Sequence, residues 1–429
     1  MENFTEAENV LLQICEKVCR DSSPNQFIAA FRERLLHNFR VQGLLPTRRV
    51  ESWHYTDLKR ILKTFPTQEE TKNPFEYDYK CLVGNNSIRL RIGQEKDLAC
   101  QARGIEVRPF SHLLNNGEEK SICLEPLDKH DAISHINAIL VRDGYEVNIP
   151  EGCKLDSPIE LQSVQCGGNM HLRYPIKFGA GSKTTIIERY IAHTDSPSLV
   201  TSISDVKICS GAEVIWIIVQ EQGFADTHLG QLRVSLEKDS SLKVFVVNAG
   251  RGVVRREISV DVEGQGSEFI LRGINLLKDL THNDLSMSLR HKVEDTLSTA
   301  VVRNVVLNKA NGVFQGEICV ASDAQRTNAS MASNTLLLSD KGSFSTKPEL
   351  EIFADDVQCG HGATVSDINH GHLYYLMARG IPENQARVML VGGFVVEILR
   401  DLEDKELQES LERVVFSWLN NSFHGLAKI

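Results

Sequence analysis

Two periodicities divide the chain. Near the N-terminus Val10, Leu11, Ile14, Cys15 and Val18 recur at helical spacing, with Glu8, Glu16 and Lys17 off their face. Ser22-Ser23-Pro24 then offers a cap and a first-turn proline, and Phe27, Phe31, Leu35 and Leu36 carry a second stripe until Gly43 and Pro46 stop it. The pattern predicts a helical hairpin, followed by a short helix through Arg60 and Leu62 that Thr56 or Asp57 can cap. From Phe75 to Leu114 short alternating segments appear, such as Ile88-Arg89-Leu90-Arg91-Ile92, and this mixed region closes the N-terminal part.

From about residue 136 to 357 the character changes. Short runs rich in Val, Ile and Leu are separated by Gly, Asp, Asn and Ser, with little helical periodicity. Thr184-Thr185-Ile186-Ile187 follows Gly181-Ser182, and Val214-Ile215-Trp216-Ile217-Ile218-Val219 follows Gly211-Ala212. Leu242-Lys243-Val244-Phe245-Val246-Val247 and Glu268-Phe269-Ile270-Leu271 follow Ser240-Ser241 and Gly266-Ser267, with later counterparts expected at Asn311-Gly312 and Lys341-Gly342. A recurrence of roughly thirty residues suits a stacked coil that turns a corner and lays each strand on its predecessor. An antiparallel β-sandwich shares this composition, so pattern alone leaves both open. A doubly wound fold is disfavoured by so many strands without a helical crossover.

After Thr364 helical faces return: Leu373, Tyr374, Leu376 and Met377; then Ala386, Met389, Leu390, Phe394, Val395 and Ile398; then Leu407, Leu411, Val414, Val415, Trp418 and Leu419. Gly380 suits a helix C′ position, Pro382 the start of the next helix, and Gly392-Gly393 a close backbone approach. These apolar faces require a partner surface.

A chain of 429 residues with 41% hydrophobic and 24% charged residues has the composition of a soluble globular protein. Its net charge of -10 and lack of a basic run argue against nucleic acid. No apolar run reaches a membrane span, and the acidic N-terminus lacks signal-peptide order, so a cytoplasmic protein is expected. Cysteines 15, 19, 81, 100, 123, 153, 166, 209, 319 and 359 form no CxxC pair, which predicts reduced core residues. Gly250-Arg251-Gly252 lacks the third glycine of a dinucleotide fingerprint, and no P-loop occurs.

Candidate chemistry concentrates in residues 348–364. Asp355-Asp356 are either paired carboxylates, as in a polysaccharide-cleaving solenoid, or turn-forming residues; neighbours on a strand face opposite ways. Cys359 and His361, two apart, share a face in extended backbone and can ligate one ion such as iron, or can be structural. Two ligands do not complete a site. His370 and His372 have the same spacing on a helix, where they do not share a face, and read as surface or helix-end residues.

The run Lys347-Pro348-Glu349-Leu350-Glu351-Ile352-Phe353-Ala354-Asp355-Asp356-Val357, with Cys359 and His361-Gly362-Ala363-Thr364, resembles the SufB/SufD scaffold family of the SUF iron-sulfur cluster assembly system. Leu373-Tyr374-Tyr375-Leu376 and Arg379-Gly380-Ile381 extend the likeness; Glu51-Ser52-Trp53-His54-Tyr55-Thr56 and Asn334-Thr335-Leu336-Leu337-Leu338 support it more weakly. Ser330-Met331-Ala332-Ser333-Asn334 lacks the cysteine of SufB-like chains, which places the resemblance on the SufD side and implies no sulfur acceptor there.

The resemblance implies a mainly β fold: a right-handed parallel β-helix over 136–365, between a mostly helical N-terminal domain (1–135) and a C-terminal helical domain (366–429). It, and not the spacing, selects solenoid over sandwich. It further implies a non-catalytic scaffold that pairs through its β-helix with SufB and docks the ABC-type ATPase SufC on its C-terminal helices. A homodimer is the alternative in isolation. His361 matches the family's candidate iron ligand, with Cys359 its neighbouring thiol, at a transient iron-sulfur cluster on the partner interface. Reduced flavin has been associated with the family complex, but this sequence carries no flavin motif.

Overall fold

The computed structural model describes residues 4–20, 25–42, 45–63, 65–66, 79–84, 87–92, 104–116, 124–128 and 130–423. Ser22-Ser23-Pro24 and Gly43, read above as hairpin punctuation, lie outside these residues. The chain begins with α1 (Glu6–Arg20), α2 (Gln26–Gln42), a 3₁₀ turn (Glu51–Trp53) and α3 (Leu58–Ile61). Asp57 caps α3, its carboxylate accepting the Arg60 amide at 3.0 Å. Then come β1 (Ile88–Arg91), β2 (Glu106–Pro109), α4 (Phe110–Asn116) and α5 (Ala132–Leu140).

A parallel β-solenoid of about eight turns follows. Its strands are β3 (Asp143–Ile149), β4 (Ile159–Gln165), β5 (Gly168–Phe178), β6 (Lys183–Ala192), β7 (Ser198–Ile208), β8 (Glu213–Glu221), β9 (Thr227–Leu236), β10 (Ser241–Asn248) and β11 (Val253–Val262). They continue as β12 (Glu268–Leu277), β13 (His282–His291), β14 (Leu297–Val306), β15 (Asn311–Val320), β16 (Asn328–Leu337), β17 (Ser343–Ile352) and β18 (Gln358–Ser366). The even strands with β1 form one nine-stranded sheet, and the odd strands from β3 on with β2 form the other. Only β2, antiparallel to β3, breaks the parallel ladder among these pairs.

The corners explain the small-residue signal. Gly181, Gly211, Asp239, Gly266, Asp295 and Arg326 each lie two positions before an even strand and each has positive φ, between 54° and 76°. The residue after each is buried: Ser182, Ala212, Ser240, Ser267, Thr296 and Thr327. Asn311-Gly312 and Lys341-Gly342, expected to continue this column, instead open β15 and β17 of the other sheet. The true continuations, Asp295-Thr296 and Arg326-Thr327, carry no glycine, because Asp and, less readily, Arg can hold the left-handed turn.

Alternate residues of both sheets meet inside, where Ile186, Trp216, Val244, Leu271 and Ile318 belong to one apolar core. Along one side the interior is polar. Asn248, Asn275 and Asn304 are register partners on β10, β12 and β14, and Asn248 donates to Asn275 at 2.5 Å and Asn275 to Asn304 at 2.8 Å. Deeper in, Glu188 accepts from Tyr190 (2.8 Å), Ser204 (2.6 Å) and Trp216 (3.1 Å), and Arg256 Nη1 lies 3.3 Å from it. Burial opposes the Arg256 charge, but Glu188 and the Tyr190 hydroxyl outweigh it, leaving its pKa above the ordinary value.

The two outer faces are covered differently. Helix α5 packs with α1 and α2 onto Leu199, Ile203 and Leu229 of the odd sheet. On the even sheet, Ile217, Phe245, Ile274 and Val305 contact α6 (His370–Ala378), α7 (Glu383–Val396), a 3₁₀ segment (Glu397–Asp401) and α8 (Lys405–Phe423). Gly380 closes α6 at φ 87°, with Ile381 donating back to Leu376 at 3.2 Å. A Cβ at Gly392 would stand 2.6 Å from Phe416, which is the close helix approach expected there, whereas one at Gly393 would meet nothing.

Candidate functional site

The last rung ends both sheets. Among the described residues strand β17 pairs with β15 only and β18 with β16 only, and every residue of both is exposed or half-buried. Their outer edges therefore offer backbone donors and acceptors to a further strand. Pro348 in β17 fits an edge position, where a missing N–H is tolerated. Apolar side chains crowd this end: Ile352 is 40% exposed, Phe353 66% and Val365 52%.

Register places the candidate ligands. Cys359 pairs with Ala329 and His361 with Met331, both buried, so the thiol and imidazole continue an interior-facing column. Cys359 is half-buried against the core, and burial pushes its thiol above the ordinary value, partly offset by a backbone hydrogen bond at Ala329. His361 is exposed and lines a 1090 Å³ cavity that also touches Lys347, Glu349, Leu350 and Glu351. Open space lies beside Gly360 and Gly362, where an added Cβ would meet nothing within 4 Å. Among the described residues no three His, Cys, Asp or Glu side chains gather to hold a metal. What this chain offers is a thiol and an imidazole at an open rim.

The other candidates sit in a bend and at a helix start. Asp355 and Asp356 sit in the bend between β17 and β18; the Asp356 amide donates to Gln325 at 2.9 Å and its carbonyl accepts the Arg326 amide at 2.5 Å. Asp356 thereby stacks on the corner below. His370 lies at the start of α6, 3.4 Å from Asp367, and the His372 amide is capped by Asn369 at 3.0 Å. Met331 and Ser333, in the stretch that lacks a cysteine, form the rung beneath His361 and Ala363. Missed from sequence were the asparagine ladder and the Glu188–Arg256 pair. Asn248, Asn275 and Asn304 recur at the same roughly thirty-residue step as the corners, and that period is a usable signal.

A family model described as "SUF system FeS cluster assembly, SufBD core domain" matches residues 162–394, more than half of the chain. The chain belongs to the SufBD family. It is 24% identical over 374 residues to the iron-sulfur cluster assembly protein SufD of Escherichia coli, covering 86% of this chain and 88% of that one. To SufD of Bacillus subtilis it is 23% identical over 426 residues, covering 92% and 97%. Similarity to SufB of Bacillus subtilis, 22% over 278 residues, covers 62% of this chain and 58% of that protein. The chain is thus a SufD-like iron-sulfur cluster assembly protein of the SUF system. Among the described residues no helix is long and apolar enough to cross a membrane.

Proposed function

We propose that the chain is a non-catalytic scaffold of a cytoplasmic SufB–SufC–SufD-type complex, and that its open rung pairs with a SufB-type solenoid. The observation that carries this is an uncapped rung with two unpaired strand edges and two ligands on one interior-facing column. Strand edges of this length are normally blocked or covered, and a paralogous solenoid supplies matching edges. In isolation a second copy of this chain is the competing occupant.

Iron, or a nascent cluster, is the cargo of this interface. His361 contributes imidazole nitrogen and Cys359 thiolate, and the partner completes the ligand set. Because the Cys359 thiol is held protonated by burial, loading releases a proton and weakens as pH falls. Flavin is not assigned a site.

The C-terminal helices receive a SufC-type ABC ATPase. Tyr374 (74% exposed), Tyr375, Met377 and Met389 stand outward on α6 and α7, while their opposite faces are buried on the even sheet. ATP-driven movement of those helices would act on the solenoid on which they pack. The test is co-expression with SufB and SufC, comparing wild type with His361→Ala. The proposal expects an intact complex with reduced iron and sulfide; an intact complex with wild-type iron and sulfide refutes the role of His361.

A further inference from the structure

We infer that residues 50–56 form a positioning strap that holds the edge strand β17 in place for docking; the docking part of this inference rests on the partner reading above. Glu51-Ser52-Trp53-His54-Tyr55-Thr56 contributes no ligand to the cluster rim, yet Trp53 is 2% and Thr56 0% exposed. Both are buried against the outer face of the odd sheet, more than two hundred residues away in sequence.

The contacts follow consecutive rungs. On β11, the Arg255 guanidinium stacks 3.9 Å from the Trp53 ring centre and donates to the Ser52 carbonyl at 2.7 Å. Arg255 is itself fixed by Asp284 and by Glu257, the latter at 2.8 Å. On β13, Asp284 accepts the Thr56 hydroxyl proton. A hydroxyl has one proton to give, so the 2.9 Å contact between Thr56 Oγ1 and His282 Nε2 requires His282 to carry its hydrogen on Nε2. On β15, Gln315 donates to the same Ser52 carbonyl at 3.3 Å. On β17, Lys347 Nζ lies 3.0 Å from Glu51 Oε1. Glu257, Ser286, Gln315 and Lys347 are register partners on successive strands, so the strap runs along one outward line of side chains to the edge.

An edge strand has its ladder on one side only, and β17 has no fully buried residue. Its order therefore leans on side-chain contacts to stable rungs, which the strap supplies. The strap also walls the cavity that His361 lines. Loosening it would blur both the strand edge and the cavity rim that a partner meets.

Hydrogen exchange on the full-length chain tests this with Thr56→Val, which keeps the shape and removes the hydroxyl, and Thr56→Ser, which restores it. Amides of 343–352 should exchange about tenfold faster in Thr56→Val, with β7 and β9 unchanged, and return to wild type in Thr56→Ser. Arg255→Lys, which keeps the buried charge but loses the fork to Ser52, should act like Thr56→Val. Affinity for SufB should fall about tenfold in the same two variants and recover in Thr56→Ser. Unchanged exchange at β17 in both folded variants overturns the strap. Faster exchange with wild-type SufB affinity overturns its part in docking. If the wild-type chain itself does not bind SufB, the partner reading falls, while the exchange result still decides whether the strap exists.

Discussion

Replacing Arg256 by Met strands the Glu188 carboxylate inside the solenoid, where both side chains are fully buried. At the observed 3.3 Å separation, an effective dielectric of about 20 gives an attraction of about 5 kcal/mol. Glu188 keeps its hydrogen bonds from Tyr190, Ser204 and Trp216, so part of its stabilisation survives. Breaking one side of such a buried pair costs about 3–5 kcal/mol, most of it the penalty of the uncompensated charge. The double variant Glu188→Gln with Arg256→Met removes that charge while keeping an amide oxygen for Ser204 and Trp216 and placing an amide N–H against the Tyr190 hydroxyl, which can accept it. It should recover about 2 kcal/mol relative to Arg256→Met. Urea unfolding at pH 7.5, followed through tryptophan fluorescence to which buried Trp216 contributes, gives both differences. At pH 5 the gap between Arg256→Met and wild type should narrow, because a stranded carboxylate takes up a proton in the folded state. A single variant within about 1 kcal/mol of wild type at pH 7.5, or a double variant no better than the single, would refute the reasoning.

Asn275→Ala removes the middle of the asparagine ladder, leaving Asn248 Nδ2 only its 3.5 Å contact to Asn283 and taking the Asn275 donor from Asn304 Oδ1, costing about 2–4 kcal/mol by urea midpoint. Burial lowers the pKa of His291 to about 4, so its folded form binds fewer protons than the unfolded chain below pH 6.5. Its contribution is full above pH 6.5 and is lost as pH falls toward 4, by about 3 kcal/mol in all; thermal unfolding across that window should be less pH-dependent in His291→Gln. Asp355→Asn with Asp356→Asn should leave stability within about 0.5 kcal/mol and cluster assembly intact, since both residues lie exposed in a bend and Asp356 is held through its backbone. On the proposed pairing, Cys359→Ala should leave a complex with SufB formed but lower its iron content; unchanged iron would make Cys359 a packing residue.

Much of the fold was legible because a solenoid repeats its constraints. Each turn needs a tight corner, a small buried residue after it and an alternating strand, so Gly181-Ser182, Gly211-Ala212 and Gly266-Ser267 announce three turns directly. The signal failed where Asp295 and Arg326 held the same left-handed corner, and the later glycine pairs belonged to the other sheet. Cys359 and His361 were legible as a same-face pair because they lie two apart in strand-like sequence. Thr56 was read as a helix cap beside Asp57; Asp57 caps, and Thr56 instead reaches a buried Asp284 that no local pattern could pair with it.

The sequence by itself determined the element types, the period and the same-face spacing of Cys359 and His361, because these depend on neighbours a few residues apart. Pattern alone did not choose between solenoid and sandwich, since apolar alternation is the same whether a strand's neighbour is parallel or antiparallel. Only the tertiary structure decided that Cys359 and His361 stand over Ala329 and Met331 on an uncapped rung. It also decided that Glu188 meets Arg256 across the lumen and that Trp53 lies on Arg255. Those are contacts between residues far apart in sequence, and they are set by how many turns the solenoid makes and where it stops.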